Sequence, residues 1–418
     1  MLSVKNPIMT GFFPDPSICR VGNKFYTVHS TFAYFPGVPV FESEDLVHWN
    51  LISNVLDRDS QVPLSGCQHS EGIFAPTIRY HKGTWYMITT NVSDQGNFIV
   101  TAKDPRGPWS EPYYLGESTG GIDPSLFFDD DGTCYYIGQR PRSAGYRYNG
   151  DCEIWVQTLD LDTMQLKPDA TIVLTGFQRK AIWPEGPHLY KKDGYYYILH
   201  AESGTSIHHS VMIARSKNVF GPYEYCPCNP ILTHRHLGAQ YPVTCVGHAD
   251  LVDDGNGNWY MVVLACRPNQ GYTLLGRETF LAKVTWEDGW PVVNAGVGHL
   301  EEVVTLPYEG QPSDDAPQCK TYTFDTPSLP PELLTLRNHR DHELELHAEG
   351  HFVRLFHRCD SLKDRGEPAY LALRQQHWNC EFETSFMPHF CKESDCAGIA
   401  MVQSNENHLR AECYPHDS

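Results

Sequence analysis

Three carboxylates are set apart by type and setting: Asp15 in Asp15-Pro16-Ser17, Asp123 in Gly121-Ile122-Asp123-Pro124-Ser125, and Glu185 in Trp183-Pro184-Glu185-Gly186-Pro187. Two carboxyl groups on opposite sides of a pocket are the minimum equipment for cleaving an acetal such as a glycosidic bond. One protonates the leaving oxygen while the other activates water or attacks directly. Trp183, Pro184 and Pro187 give Glu185 an apolar setting that disfavours its charged form and suits a general acid. The shorter Asp15 suits activation of a water on the far face of the sugar, as general base. Asp123 is expected to keep Glu185 protonated by like-charge repulsion and to help orient the sugar.

These acids are far apart along the chain, so the fold has to bring them together. Asp15-Pro16-Ser17-Ile18 returns as Ala75-Pro76-Thr77-Ile78, Asp123-Pro124-Ser125-Leu126, Gly186-Pro187-His188-Leu189 and His248-Ala249-Asp250-Leu251, at spacings of 60, 48, 63 and 62 residues. Each copy runs into a polar turn with a glycine and then an aromatic pair, from Phe25-Tyr26 to Trp259-Tyr260, which reads as strand, hairpin and strand. A unit of this length built of short strands cannot bury both faces alone and must stack around an axis. The expected fold is therefore all-β, a five-bladed propeller. The first residue of each copy enters the innermost strand at the mouth of the axis, which gathers Asp15, Asp123 and, one residue ahead of the fourth copy, Glu185 over one funnel.

Other residues are expected at that mouth. Phe32, in the aromatic loop 29–39, would offer a flat apolar face to a pyranose ring, and Phe74 a pocket wall. Arg277 either pairs with Glu278 at the surface or grips sugar hydroxyls and a carboxylate at the funnel. His248 is either hydrogen-bonded structure or, on the axis, the holder of a water or a divalent cation; no cofactor is required. Cys226-Pro227-Cys228 and the pair Cys391 and Cys396 lack the partners of a zinc site, so no metal centre is expected there.

A net charge of −19, with basic residues dispersed, excludes nucleic acid and anionic membranes as natural partners. No apolar run reaches spanning length and residues 1–7 show no leader pattern, from which a cytoplasmic location and fourteen reduced cysteines are expected. Homo-oligomerisation is left open. The propeller is expected over 1–305, with residues 1–14 closing the ring, and a Pro- and Gly-rich linker over 306–320. Alternating stretches at 352–355, 369–373, 380–386 and 397–402 suggest a partial β-sandwich over 321–418, apparently truncated.

Gly11-Phe12-Phe13-Pro14-Asp15-Pro16-Ser17, the loop Ser30 to Pro39, Gly121 to Ser125, Trp183 to Tyr190, Gly247-His248-Ala249-Asp250 and Leu275 to Phe280 together resemble glycoside hydrolase family 43, most closely its β-xylosidase branch. The resemblance implies inverting, exo-acting removal of xylose from non-reducing ends of β-1,4-xylo-oligosaccharides. It also implies Asp15 as base, Glu185 as acid, Asp123 as tuner and Arg277 as sugar contact, which agrees with the roles reasoned from the residues. Phe74 stands where that branch often has tryptophan, and the expected sandwich is shorter than the family's. The alternatives are an α-L-arabinofuranosidase, alone or alongside xylosidase activity, and a non-catalytic carbohydrate-binding propeller. A retaining fructan hydrolase is disfavoured because its Asn-Asp-Pro-Asn-Gly signature is missing.

Overall fold

The computed structural model describes residues 1–116, 120–312, 319–337 and 344–415, among which there is no α-helix. The repeat read from the sequence becomes five antiparallel sheets whose innermost strands are Ser17–Val21, Thr77–His81, Ile122–Phe128, Glu185–Lys192 and Thr244–Asp253. Four sheets have four strands in chain order; the third carries a fifth, Thr171–Thr175, along Cys152–Asp160. The hairpin glycines turn as the polar turns require, with Gly22 at φ 63° and Gly257 at φ 95°. Members of the aromatic pairs then pack between blades, Tyr26 on Trp85 at 4.6 Å and Tyr196 on Phe127 at 6.2 Å between ring centroids.

The chain's first residues close the ring as expected, though by two devices. Leu2–Lys5 pairs with Val303–Leu306. Beyond it, Met9 exchanges backbone hydrogen bonds with Thr279 on the fifth blade, while the Asn6 side chain donates to Leu281 O and accepts from Leu281 N, both at 2.8 Å. Asn6 thus replaces a missing stretch of outer strand with a side-chain amide.

The axis beneath the funnel is filled by a buried charge pair. Arg79 of the second blade donates to both oxygens of Asp250 of the fifth, at 3.0 and 3.3 Å, and reaches His188 Nδ1 of the fourth at 3.1 Å. Asp250 is fully buried and also accepts from Ser17 Oγ (2.8 Å), the Ile18 amide (3.0 Å) and Tyr190 O–H (2.5 Å). Burial pushes the Asp250 carboxyl up, but Arg79, His188 and these donors bring it down to about 2. One carboxylate therefore ties together four blades.

C-terminal to the propeller the pattern is looser. Thr335–Leu336 pairs with Tyr34–Phe35, and Arg337, fully buried, donates to Cys67 O, Gly366 O and Asn405 Oδ1, which fastens this part to the first two blades. Hairpins form from Leu344–His347 with Phe352–Leu355 and from Ala397–Val402 with His408–Cys413. The stretches at 369–373 and 380–386 depart from expectation: the first makes only the bridge between Ala372 and Leu334, and the second is exposed and irregular. Alternation supplies a face, but a strand also needs a hydrogen-bonded neighbour, and none lies along 380–386 among the described residues. Residues 313–318 of the linker expected at 306–320 lie outside the described residues.

Candidate active site

The first position of four repeats has a left-handed backbone: Asp15 at φ 53°, Asp123 at 56°, Gly186 at 58° and His248 at 49°. Three of these are not glycine, and such strain concentrates at functional sites. The pairing register slips at three of these four places, between Ile122 and Ser125, between Glu185 and His188, and on both sides of Gly247. These bulges turn side chains off the sheet and into the funnel. The shift that made Glu185 the odd member of the set is one of them.

Asp15, Asp123, Glu185, Arg277 and His248 are brought together. Arg277 Nη1 donates to Asp15 Oδ1 at 2.5 Å and Ser30 Oγ to Asp15 Oδ2 at 2.6 Å. Of the two readings left open for Arg277, the funnel holds it, because Glu278 is fully engaged by Arg267 at 2.7 and 2.8 Å. His248 Nδ1 lies 4.0 Å from both Asp15 Oδ1 and Asp123 Oδ2, and Asp123 Oδ2 accepts from the Gly186 amide at 3.0 Å. The amide following Glu185 thereby links the second and third carboxylates.

Burial pushes all three acids up, and their partners separate them. Arg277, His248 and the Ser30 hydroxyl outweigh burial at Asp15 and hold it below the usual carboxylate range. Asp123 is raised to about 6, mainly by burial and with Asp15 adding to it against His248. Glu185 stands well above its ordinary value, raised by burial and then by Asp123 and Asp15.

Phe32 and Phe74 form one wall, edge to face at 5.4 Å, and Phe12 stacks on Phe32 at 5.6 Å. The Arg277 guanidinium lies 5.3 Å from the Phe32 ring. A cleft of about 510 Å³ is lined by Ile122, Tyr146, Tyr148, Cys152 and Trp183 among others, with Ile122 next in the chain to Asp123 and Trp183 two residues before Glu185. Phe12, Ser30, Tyr146 and His209 were not picked out from the sequence. Phe12 and Ser30 lie inside motifs already read, whereas His209 has no signal beyond the pair His208-His209.

A five-bladed propeller with opposed carboxylates at its axial mouth is the architecture of a glycoside hydrolase. Residues 4–291 match the family model described as Glycosyl hydrolases family 43, and residues 321–417 match the beta xylosidase C-terminal Concanavalin A-like domain. The chain belongs to glycosyl hydrolase family 43, with a β-sandwich-type domain after the propeller. A xylosidase/arabinosidase of Butyrivibrio fibrisolvens is 56% identical over 413 residues, covering 98% of this chain and 79% of that protein. A non-reducing end alpha-L-arabinofuranosidase of Bacteroides ovatus is 40% identical over 97% of this chain and 74% of that protein. The crystal structure of a xylan beta-1,4-xylosidase from Bacillus halodurans superposes with a TM-score of 0.86 at 36% identity, over 98% of this chain and 79% of that one.

Proposed function

We propose that this hydrolase is exo-acting and inverting, and that it releases xylose from the non-reducing ends of β-1,4-xylo-oligosaccharides. The feature that carries this reading is the gathering of two oppositely displaced carboxyls in one funnel, Asp15 held below the usual carboxylate range by Arg277, His248 and Ser30 against its burial, and Glu185 raised above it by burial and by Asp123 and Asp15. Asp15 draws a proton from water, Glu185 gives one to the glycosidic oxygen, and Arg277 fixes Asp15 while offering its remaining N–H groups to the sugar. The Phe12, Phe32 and Phe74 wall packs against the terminal ring, and the cleft beside Trp183 takes the leaving sugar. Arabinofuranoside cleavage by the same site is the second reading, favoured by the names of the two relatives above.

A panel of nitrophenyl glycosides, followed by proton NMR of the first sugar released, tests this. The expected result is hydrolysis of the β-xyloside with α-xylose appearing first. Release of β-xylose sinks inversion, and binding of xylo-oligosaccharide without hydrolysis of any glycoside sinks the enzymatic assignment in favour of a carbohydrate-binding propeller.

Asp123→Asn removes a negative neighbour that holds Glu185 up. The alkaline limb of kcat/KM is therefore expected to move to lower pH, by about one unit for a close pair of like charges. A limb that stays in place or moves upward excludes Asp123 as the tuner.

For the axial position the reading is water against His248. Arg277 already neutralises Asp15, and the Arg79 guanidinium supplies the positive charge below. Turnover is expected to be unchanged by a chelator; a loss that calcium reverses assigns a cation instead.

A further inference from the structure

His209 is buried to 1% exposure, and its Nε2 has no hydrogen-bond partner among the described residues. That nitrogen faces the acid: it lies 4.0 Å from Glu185 Oε1. The other ring nitrogen, Nδ1, sits 3.1 Å from Cys245 O, an acceptor, so it must carry the ring proton as donor. Nε2 is then a bare lone pair.

The ring is also locked. A Cβ at Gly247 would stand 2.4 Å from it, so residue 247 is the glycine that lets the imidazole reach this place. Charging the ring does not relieve the orphan, because burial keeps His209 neutral down to about 3 and His248 and Arg277 oppose a further positive charge.

We propose that His209 is a positioning residue for proton transfer, a fixed, acceptor-only imidazole that keeps the Glu185 carboxyl loaded with its proton until the glycosidic oxygen takes it. A neighbour that can only accept tolerates a COOH group, whose O–H it can receive, and opposes a carboxylate, which it repels. The groups facing Glu185 divide accordingly: Asp123, Asp15 and the His209 lone pair favour the protonated acid, and Arg277 favours the anion, while the Cys152 thiol stays neutral. This rests on the reading of Glu185 as general acid.

The test is His209→Phe, which keeps a flat ring in a dry site and deletes the lone pair. The alkaline limb of kcat/KM is expected to fall by about one pH unit although the pocket is no wetter. At pH values above the new limb, kcat on xylobiose is expected to drop about tenfold while 4-nitrophenyl xyloside, with its activated leaving group, changes little and KM holds. A folded variant whose limb stays or rises overturns the proposal.

Should the variant fail to fold, nitrogen-15 NMR of histidine-labelled wild type reads the tautomer directly. The expected His209 ring is neutral and protonated on Nδ1 from about pH 5 to 8, and a proton on Nε2 overturns the proposal. Glu185→Ala in the same leaving-group series keeps the two readings apart. If that variant shows no leaving-group dependence, the acid assignment falls whatever the His209 tautomer is.

Discussion

Asp15→Ala is expected to abolish turnover, lowering kcat by about ten-thousand-fold on natural and activated substrates alike. The base acts on water, so a better leaving group does nothing to replace it. Ser30 and Arg277 hold its two oxygens at 2.6 and 2.5 Å, which fixes the carboxylate where a smaller side chain leaves only space. Glu185→Ala should differ in kind. It is expected to lose about a hundredfold or more on xylobiose but to stay near wild type on aryl glycosides whose phenolate departs without a proton. The measurement is kcat for both variants across a series of leaving groups of graded acidity. A flat dependence for Glu185→Ala, or a steep one for Asp15→Ala, reverses the two roles.

The second large effect concerns stability. Arg79→Met should destabilise the propeller by about 3–5 kcal/mol, because it leaves Asp250 buried without its counter-ion while the Ser17, Ile18 and Tyr190 donors remain aimed at it. The group also sets an acid limit. Its folded value of about 2 lies below that of an unfolded aspartate, so its contribution is present above about pH 4 and is lost as pH falls through about 2. Urea unfolding of wild type and variant at neutral pH measures the difference in midpoint. An unchanged midpoint would mean that the blades are held by their apolar faces alone. Asp250 is fully buried and Arg79 largely so, at 0% and 15% side-chain exposure, so added salt should not substitute for the lost pair.

Much of this was legible because a propeller writes its symmetry into the chain. The five copies gave the blades, and the first residue of each gave Asp15, Asp123 and His248 at the mouth. What the repeat could not give was the meeting of side chains from different blades. The sequence alone leaves Arg277 between two partners, and only Arg267 seated on Glu278 decides between them. Arg79 and Asp250 lie inside repeats that read as ordinary strand, and their pairing across 171 residues has no local signature. His209 was invisible for the same reason: its meaning comes from the missing Cβ of Gly247 and the carboxyl of Glu185. The strands expected at 369–373 and 380–386 failed in the opposite direction, where a good local pattern had no neighbour to pair with.

The seam where Asn6 and Met9 lie along the fifth blade has a temporal consequence. Asp15 and Arg277 are 262 residues apart, so their contact is of high sequence separation and requires the first and fifth blades to be side by side. Partly folded chains should be inert toward glycosides, and recovery of catalysis after dilution from denaturant should trail recovery of the blades' own β-sheet signal.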